Sequence, residues 1–398
     1  MSSKRWGTGT LLLLGAAHSL NHSLFLVLPP LLGDISRDLG ASFNTIGAVA
    51  TVSFLLYGLG ALIGGPLSDR IGEISVLSLS IALAGASTLL FLLPKSLAVF
   101  SAGMFLIAVW ASFYHPTSNT LISKLFTENT AGAMGVHGAA ASIGQMFTPT
   151  VAYLIGTRVD WRLSFLFFGL LSVLAGVMIR RIPYPVEPGV RKRVPITQVL
   201  TIPNLWVIIV FNIVIGLFQR GVELFFPTFL SENRGFSGQL AAMANSVVLL
   251  FGVVGQLLAG WASDKYSSSG VVILASFGMV ASMLCLLLLP FGGVGVSLFV
   301  ITYGIGYFGH QPAMTALLGS ISPRSAMGTA YGLMFFFAFG LGSVSTAVAG
   351  YLTDAFNMDT AFWILTLFAF MALVIALVIP RVIQKSKDAT ENVYSGSE

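Results

Sequence analysis

The sequence predicts an all-α membrane protein with twelve transmembrane helices in two pseudo-symmetric six-helix halves. The prediction rests on a scarcity of charge, long apolar runs and an internal repeat. Only 9% of the 398 residues are charged and 56% are hydrophobic, whereas soluble domains carry about 25% charged residues. A water-soluble globule cannot bury that much apolar surface. A disordered chain and a nucleic-acid-binding protein are excluded for the same reason.

Runs of about 20 apolar residues, long enough to cross a bilayer as helices, recur along the chain. Backbone groups in lipid must be satisfied within a helix or a closed barrel, and a barrel would show shorter segments of alternating polarity. The predicted spans, numbered 1 to 12, cover residues 8–33, 44–66, 74–93, 97–123, 131–156, 162–181, 204–230, 238–262, 270–290, 296–319, 327–352 and 360–380. The predicted units are an N-terminal half (1–181), a cytoplasmic linker (182–203), a C-terminal half (204–383) and a polar tail (384–398).

The basic residues predict the orientation of the spans. If the N-terminus is cytoplasmic, most of the 20 Lys and Arg residues lie on the cytoplasmic side, among them Arg191, Lys192 and Arg193 of the linker. Cytoplasmic loops are enriched in Lys and Arg. We therefore expect the protein in a plasma (inner) membrane with both termini on the cytoplasmic side. Span 1 is too long for a signal peptide and is expected to remain as a helix. The basic excess would then reflect topology and contact with membrane lipid.

Short motifs recur in the same order in the two halves. The segment GPLSDR at 65–70 returns as GWASDK at 260–265, and HP at 115–116 returns as QP at 311–312. Ordered matches at a nearly constant spacing indicate a duplicated six-helix unit, a pattern typical of secondary transporters.

The segment between spans 2 and 3 resembles the signature of the major facilitator superfamily of transporters. It reads GPLSDRIG at 65–72, close to the family pattern G-x-L-[SA]-D-R-x-G, and the resemblance covers nearly the whole chain. It implies a latch between the halves that loosens during transport. The latch residues would be Gly65, Asp69, Arg70, Gly72 and, in the repeated copy, Asp264. Glu73 stands where the family usually has a basic residue, so the latch would carry a different charge.

A narrower resemblance is to the fosmidomycin-resistance-like branch of this superfamily. It rests on His18 with LPPLL at 28–32, YHP at 114–116 and HGAA at 137–140. Span 5 also resembles, over 135–153, the glycine pattern of proton-coupled exporters. The resemblance to the fosmidomycin-resistance-like branch implies a proton-driven exporter of small, often anionic or antibiotic-like compounds.

Ionisable residues inside spans are costly, about 2.5–3.5 kcal/mol each on insertion scales, so they tend to be functional. The candidates for binding substrate or protons lie on spans 1, 4, 7 and 10, which the resemblance implies line the central cavity. They are Glu223, Arg220, His18, Asn21, His22, His115 and His310. Glu223 is the only carboxylate expected at membrane depth and is the best proton-carrier candidate. Arg220, three residues away on the same face, would bind an anionic group; the alternative is a structural ion pair.

Several other side chains allow two interpretations. His18 and His22 have the i, i+4 spacing of metal ligands, but no cysteine or carboxylate joins them on span 1. We therefore assign no metal ligands and favour proton relay or substrate hydrogen bonding over a purely structural role. His137 is expected to pack near the cytoplasmic end of span 5. The phenylalanines at 335–337 and 339 are expected to face lipid rather than line a pocket.

The sequence therefore predicts a monomeric secondary active transporter that moves a small organic compound by alternating access. Proton-coupled export by antiport is the preferred mode. The alternatives are proton-coupled uptake of a small organic anion bound by Arg220, a metal or metal-chelate carrier that uses the histidines, and a non-transporting membrane receptor with the same fold. No phosphate-binding loop, catalytic triad or zinc motif is visible, so neither an enzyme nor a cofactor is predicted.

Overall fold

The computed structural model describes residues 8–126, 130–183, 196–289, 293–322 and 327–395, and within these ranges it contains helices and no strand. The first six long helices are α1 (Thr8–Leu26 and Leu28–Leu39), α2 (Phe43–Ile71), α3 (Glu73–Ser87, extended by a 3₁₀ turn Thr88–Leu92), α4 (Leu97–Ala111 and Tyr114–Leu125), α5 (Thr130–Arg158) and α6 (Trp161–Arg180). The second six are α7 (Pro203–Asn233), α8 (Gly238–Lys265), α9 (Ser268–Leu288), α10 (Val294–Ile321), α11 (Met327–Phe335, then irregular turns to Ser343, then Val344–Ala355) and α12 (Met358–Ser395). These helices confirm the predicted all-α membrane fold.

Ten of the described helices are long and apolar enough to cross a membrane. The other two long helices are α5 and α10, which contain the buried histidines His137 and His310. In the predicted linker 182–203, a short helix Ile196–Leu200 precedes α7. Residues 184–195, with Arg191, Lys192 and Arg193, lie outside the described residues. The polar tail continues α12 as helix to Ser395.

The turns between helices repeat between the two halves, as the sequence duplication predicts. Gly40 after α1 and Gly235 after α7 both have a positive φ, 58° and 70°, which a glycine adopts without strain. The next helices are then capped alike. The Ser42 side chain accepts a hydrogen bond from the Thr45 N–H, and that of Ser237 accepts one from the Leu240 N–H, both at 3.2 Å.

The two halves pack together through α2 against α11 and α5 against α8. We call the side of the bundle that holds Gly72 the linker side and the side that holds Gly40 and Gly235 the far side. The closest approaches are on the far side, where a Cβ at Gly47 would lie 2.2 Å from the Thr346 carbonyl oxygen. Nearby, the Asn44 N–H donates to the Asp354 carboxylate at 2.7 Å.

Toward the linker side, α5 and α8 stand farther apart. No atom of a neighbouring described helix lies within 4 Å of a Cβ placed at Gly135 or Gly138 of α5, or at Gly260 of α8. Between these ends, the Ser142 hydroxyl of α5 reaches the Gln256 side chain of α8 at 3.5 Å. The halves are therefore joined most tightly on the far side.

Candidate functional site

The side chain of Arg220 in α7 lies between two phenyl rings from different halves. Its guanidinium carbon is 4.3 Å from the ring centre of Phe54 in α2 and 4.4 Å from that of Phe339 in α11. Each such contact contributes about 0.5–2 kcal/mol, depending on how far water is excluded. Because Arg220 is only 7% exposed, the two rings fix the plane of the guanidinium and therefore the edge that it can present to a ligand.

Glu223, one turn further along α7, neutralises this arginine. Arg220 Nη1 donates to Glu223 Oε2 at 2.6 Å, and Gln219 Nε2 donates to the same oxygen at 2.7 Å. The Glu223 side chain is 24% exposed, against 8% for that of Arg220. The predicted pair is thus formed, and its acidic member is the more accessible one. Removing one partner of a buried pair typically costs about 3–5 kcal/mol.

Arg220 also keeps an unused donor. Its Nε atom is buried and has no hydrogen-bond partner among the described residues. An unpaired buried donor is unfavourable by about 1–3 kcal/mol, more when it is charged. An acceptor brought to this edge of the guanidinium would relieve that penalty.

Two small cavities meet at Glu223. The first is lined by Arg220, Glu223 and Phe54 together with Pro29 of α1. The second extends from Glu223 toward Asn245, Tyr303 and Tyr307 of the C-terminal half; the residues that line it are Leu26, Gln219, Val222, Glu223, Phe226, Asn245, Val248, Leu249, Tyr303, Tyr307 and Phe308. Each has room for about one water molecule. A larger ligand at Arg220 therefore requires the helices around it to move apart.

Four of the five histidines form a second polar cluster, on α1, α4 and α5. The rings of His18, His22 and His115 lie 4.8–5.1 Å apart between centres. The Nε2 atoms of His115 and His22 are 3.2 Å apart, so one donates to the other. His137, 3% exposed, stacks on His18 with ring centres 4.6 Å apart. The sequence treated His137 separately from the cavity histidines, whereas the structure places it among them.

Aromatic rings connect the two polar groups. The ring of Tyr57 in α2 is 5.7 Å from Phe339 and 6.2 Å from His115, and Phe335 stacks on His115 at 6.1 Å. The expectation that this phenylalanine run faces lipid is therefore wrong for Phe335 and Phe339. A π-helical turn, Phe336–Gly340, begins directly after Phe335 and adds a residue to the turn that holds Phe339, so regular helical spacing does not give the direction of Phe339.

Asn21 and His310 are bound by other partners than the two groups described above. The Asn21 amide donates to the Ala111 carbonyl and its oxygen accepts from the Tyr57 hydroxyl, both at 2.8 Å. These bonds tie α1 to α4 and α2. His310 lies within the C-terminal half, 5.2 Å from the Tyr307 ring and 6.0 Å from Phe211, with its Nδ1 against the Tyr307 carbonyl. These contacts account for both side chains, and their part in binding substrate or protons stays a prediction.

The latch segment joins α2 to α3 on the linker side. Gly72 has φ +85° at the junction, and its N–H donates to the Ser68 carbonyl at 2.9 Å. Arg70 and Asp264 are exposed at the ends of α2 and α8. Gly65 and Asp69 lie within α2, but their surroundings are outside the described part of the structure. The latch between the halves stays a prediction.

Glu73, the departure from the family signature, has a partner within its own half. It is 3% exposed, and Lys124 at the end of α4 contacts its carboxylate at 2.5 Å. This ion pair joins the linker-side ends of α3 and α4.

Comparison with known proteins identifies the fold and the family. The family model described as Major Facilitator Superfamily matches residues 11–347. The glycerol-3-phosphate transporter of Bacillus subtilis is 25% identical over 377 residues, with 85% of this chain and 84% of that protein covered. The gentisate transporter of Corynebacterium glutamicum is 25% identical over 335 residues (79% and 73%), and the membrane sensor protein UhpC of Escherichia coli is 22% identical over 352 residues (81% and 79%).

A solved structure agrees with this assignment at the level of the fold. The nucleoside transporter NupG, in a mutant form, superposes with a TM-score of 0.80 at 13% identity and covers 93% of this chain and 99% of its own. The match confirms the predicted all-α membrane fold. The proteins matched here are transporters and a sensor rather than enzymes.

Proposed function

The chain belongs to the Major Facilitator Superfamily, and we propose that it carries a small organic anion across the membrane together with protons. The observation that carries this proposal is Arg220, a guanidinium held between aromatic rings from the two halves. The names of two relatives support it, because glycerol 3-phosphate and gentisate are both small organic anions. The narrower resemblance to the fosmidomycin-resistance-like branch stays a prediction.

Arginine suits such a substrate because its planar guanidinium matches carboxylate and phosphate groups with two parallel hydrogen bonds. Nη1 of Arg220 already bonds to Glu223, whereas Nε has no partner among the described residues. An anionic group that reached this side chain would compete with Glu223 for the guanidinium. A hydrogen bond to a charged group contributes about 1.5–3 kcal/mol.

Displacement of Glu223 couples the anion to a proton. A carboxylate that loses its cationic partner in a water-poor cavity is stabilised by binding a proton. Anion binding at Arg220 and proton binding at Glu223 therefore favour each other, and both move in the same direction.

The membrane potential argues for uptake in this arrangement. A negative charge that enters a cell against an inside-negative potential costs about 2.3 kcal/mol per 100 mV, and a proton carried with it cancels that cost. Export of an anion would need no such compensation. We therefore favour proton-coupled uptake over the antiport export that the sequence analysis preferred.

The test is transport in proteoliposomes with an imposed pH gradient, alkaline inside, and radiolabelled glycerol 3-phosphate or gentisate outside. We expect accumulation of the anion with proton movement in the same direction. Glu223→Gln should abolish accumulation driven by the gradient yet keep exchange of labelled for unlabelled anion. Glu232→Gln, on the same helix but outside the site, is the matched control and should retain both activities.

Two outcomes would overturn this proposal. Proton movement opposite to the anion would establish antiport, the mode that the sequence analysis preferred. Undiminished accumulation by the Glu223→Gln variant would show that another group carries the proton.

A second candidate function is sensing of an organic anion without transport. The similarity to UhpC, a protein named as a membrane sensor, favours this alternative. The same proteoliposomes distinguish the two, since a sensor would bind the labelled anion without exchanging it across the membrane.

We also propose that the linker side faces the cytoplasm of a plasma (inner) membrane and that the protein acts as a monomer. The enrichment of Lys and Arg in the loops of that side supports the orientation. A cysteine at Arg70 should react with an impermeant thiol reagent in inverted vesicles but not in intact cells. Light scattering of the detergent-solubilised protein measures the oligomeric state.

A further inference from the structure

Three histidines of the cluster converge on one point, an arrangement that a proton relay does not require. One ring nitrogen each from His18, His22 and His115 lies within 4.8 Å of the other two. The His22 and His115 Nε2 atoms are 3.2 Å apart. In a tetrahedral zinc site with Zn–N bonds of about 2.0–2.1 Å, ligand nitrogens are about 3.3–3.4 Å apart. One edge of such a site is therefore already close to that length, and the other two edges are at most 4.8 Å long.

From this convergence we propose that His18, His22 and His115 bind one divalent transition metal ion of the zinc, cobalt or nickel class. Three neutral imidazoles without thiolate or carboxylate suit these ions. The site is distinct from the Arg220–Glu223 pair, and it does not depend on the identity of the transported anion.

The scaffold holds the three rings in place. His18 and His22 are one turn apart on α1, so they face the same direction. His115 lies in the first turn after the break between the two segments of α4, where Pro116 follows it. The ring of Phe335 covers His115 from the other half at 6.1 Å. The site therefore lies at the boundary between the halves.

An unsatisfied ring nitrogen is a second, independent indication of a missing partner. His18 Nδ1 is buried and has no hydrogen-bond partner among the described residues. Hydrogen bonding between His22 and His115 leaves that atom unpaired, at a typical penalty of about 1–3 kcal/mol. A metal ion bound through Nδ1 of His18 would give that atom a ligand bond.

His137 packs against the site without joining it, although both of its ring nitrogens are also buried and have no hydrogen-bond partner among the described residues. Its ring lies nearly parallel to that of His18, with an interplanar angle of 20°. A metal ion lies in the plane of each imidazole that binds it, so two stacked rings do not share one ion. Three imidazoles leave a fourth position open, where a hydroxide or an anionic ligand would offset part of the buried charge.

Metal binding can be measured directly on the full-length protein in detergent, purified metal-free and without a polyhistidine tag. We expect Co²⁺ to bind with one ion per chain and to give the visible absorption of tetrahedral cobalt, and Zn²⁺ to displace it. Loss of a supporting residue alone weakens metal sites by about 10- to 100-fold, so His115→Ala should weaken binding by more than about 100-fold. His137→Ala should keep the tetrahedral cobalt spectrum.

The matched control is His310→Ala, which removes a buried histidine of α10 outside the cluster and should keep wild-type metal affinity. If His115→Ala does not fold, His115→Gln preserves a polar side chain of similar size and still removes the ligand. Absence of Co²⁺ binding by the wild-type protein would overturn the proposal. Equal loss of binding in the His115 and His310 variants would overturn it too. Because cobalt absorption is read without transport, its result is independent of the anion transport proposed above.

Discussion

Replacing Arg220 with lysine is expected to weaken anion binding strongly while leaving the charge of the site unchanged. The guanidinium owes its orientation to Phe54 and Phe339, at 4.3 and 4.4 Å. Lysine is a compact point charge that neither stacks in this way nor forms two parallel bonds to one anionic group. Losing one charged hydrogen bond costs about 1.5–3 kcal/mol. Because 1.4 kcal/mol corresponds to a tenfold change in Kd, this loss predicts an affinity about 10- to 150-fold weaker.

The assay is isothermal titration of the purified protein with glycerol 3-phosphate, and the chain provides a closely matched control. Arg234 lies 4.4 Å from the ring centre of Phe229 and bonds to Asp359 at 2.9 Å, so it has the same kinds of partner at the far-side end of α7. Arg234→Lys should therefore leave the anion affinity unchanged. The reasoning is refuted if the Kd of Arg220→Lys for the anion is within about threefold of the wild-type value, a difference under 1 kcal/mol. Equal loss of affinity in the Arg220→Lys and Arg234→Lys variants would also refute it.

Three further perturbations test the scaffold around the site. Gly47→Val places a side chain where a Cβ would already lie 2.2 Å from the Thr346 carbonyl oxygen, so the far-side contact should open. A cysteine at Asn44, in a Cys285→Ala background, should then react faster with an impermeant thiol reagent; unchanged reactivity would contradict this. Although partial burial of the Asp160 carboxylate tends to raise its pKa, hydrogen bonds from Arg162 and Lys95 outweigh this and lower the pKa to about 2. Because the pKa is lower in the folded protein, the ionised carboxylate stabilises the fold. This stabilisation is fully present at pH values above the pKa of the unfolded chain, near 3.9, and is lost as the pH falls through about 2. After allowance for screening by water, Asp160→Asn should therefore lower the free energy of unfolding by about 1 kcal/mol at pH 6. The decrease should be much smaller at pH 2. An equal decrease in melting temperature at both pH values would contradict this. Asn21→Leu leaves the Ala111 carbonyl and the Tyr57 hydroxyl without a partner, and each unpaired buried group costs about 1–3 kcal/mol of folding stability. The variant should therefore have a lower melting temperature and nearly unchanged anion affinity. Weakened anion binding at an unchanged melting temperature would show that Asn21 belongs to the binding site.

The helices were predictable because hydropathy is a local property of the chain. The span predicted over 204–230 is the helix Pro203–Asn233, and that predicted over 238–262 is Gly238–Lys265. Hydropathy does not report interruptions or polar extensions. The break in α4 after Ala111 follows from Pro116, which has no N–H to bond the carbonyl four residues earlier. The continuation of α12 to Ser395 had no signal in the apolar pattern.

The site was predictable only where its partners are close in sequence. Arg220 and Glu223 are three residues apart on one helix, so helical geometry alone brings them together. Phe54 and Phe339 come from different halves, and their approach to Arg220 depends on how α2 packs against α11. The π-helical turn in α11 adds a shift that regular helical spacing does not predict.

The histidines show the same limit. The spacing of His18 and His22 placed both on one face of span 1. The approach of His115 and His137 depends on the packing of α1 against α4 and α5, which no local pattern encodes. Asn21 shares that helical face, yet its hydrogen bonds to Ala111 and Tyr57 give it a different environment.

The central claim, that the Arg220 site selects an organic anion, is tested most directly by competition in proteoliposomes. The measurement is exchange of radiolabelled for unlabelled glycerol 3-phosphate in the presence of excess glycerol, its uncharged counterpart. If Arg220 binds the anionic group, glycerol does not inhibit the exchange by the wild-type protein, and Arg220→Lys exchanges only at much higher anion concentrations. Equal inhibition by glycerol and by unlabelled glycerol 3-phosphate would contradict the claim.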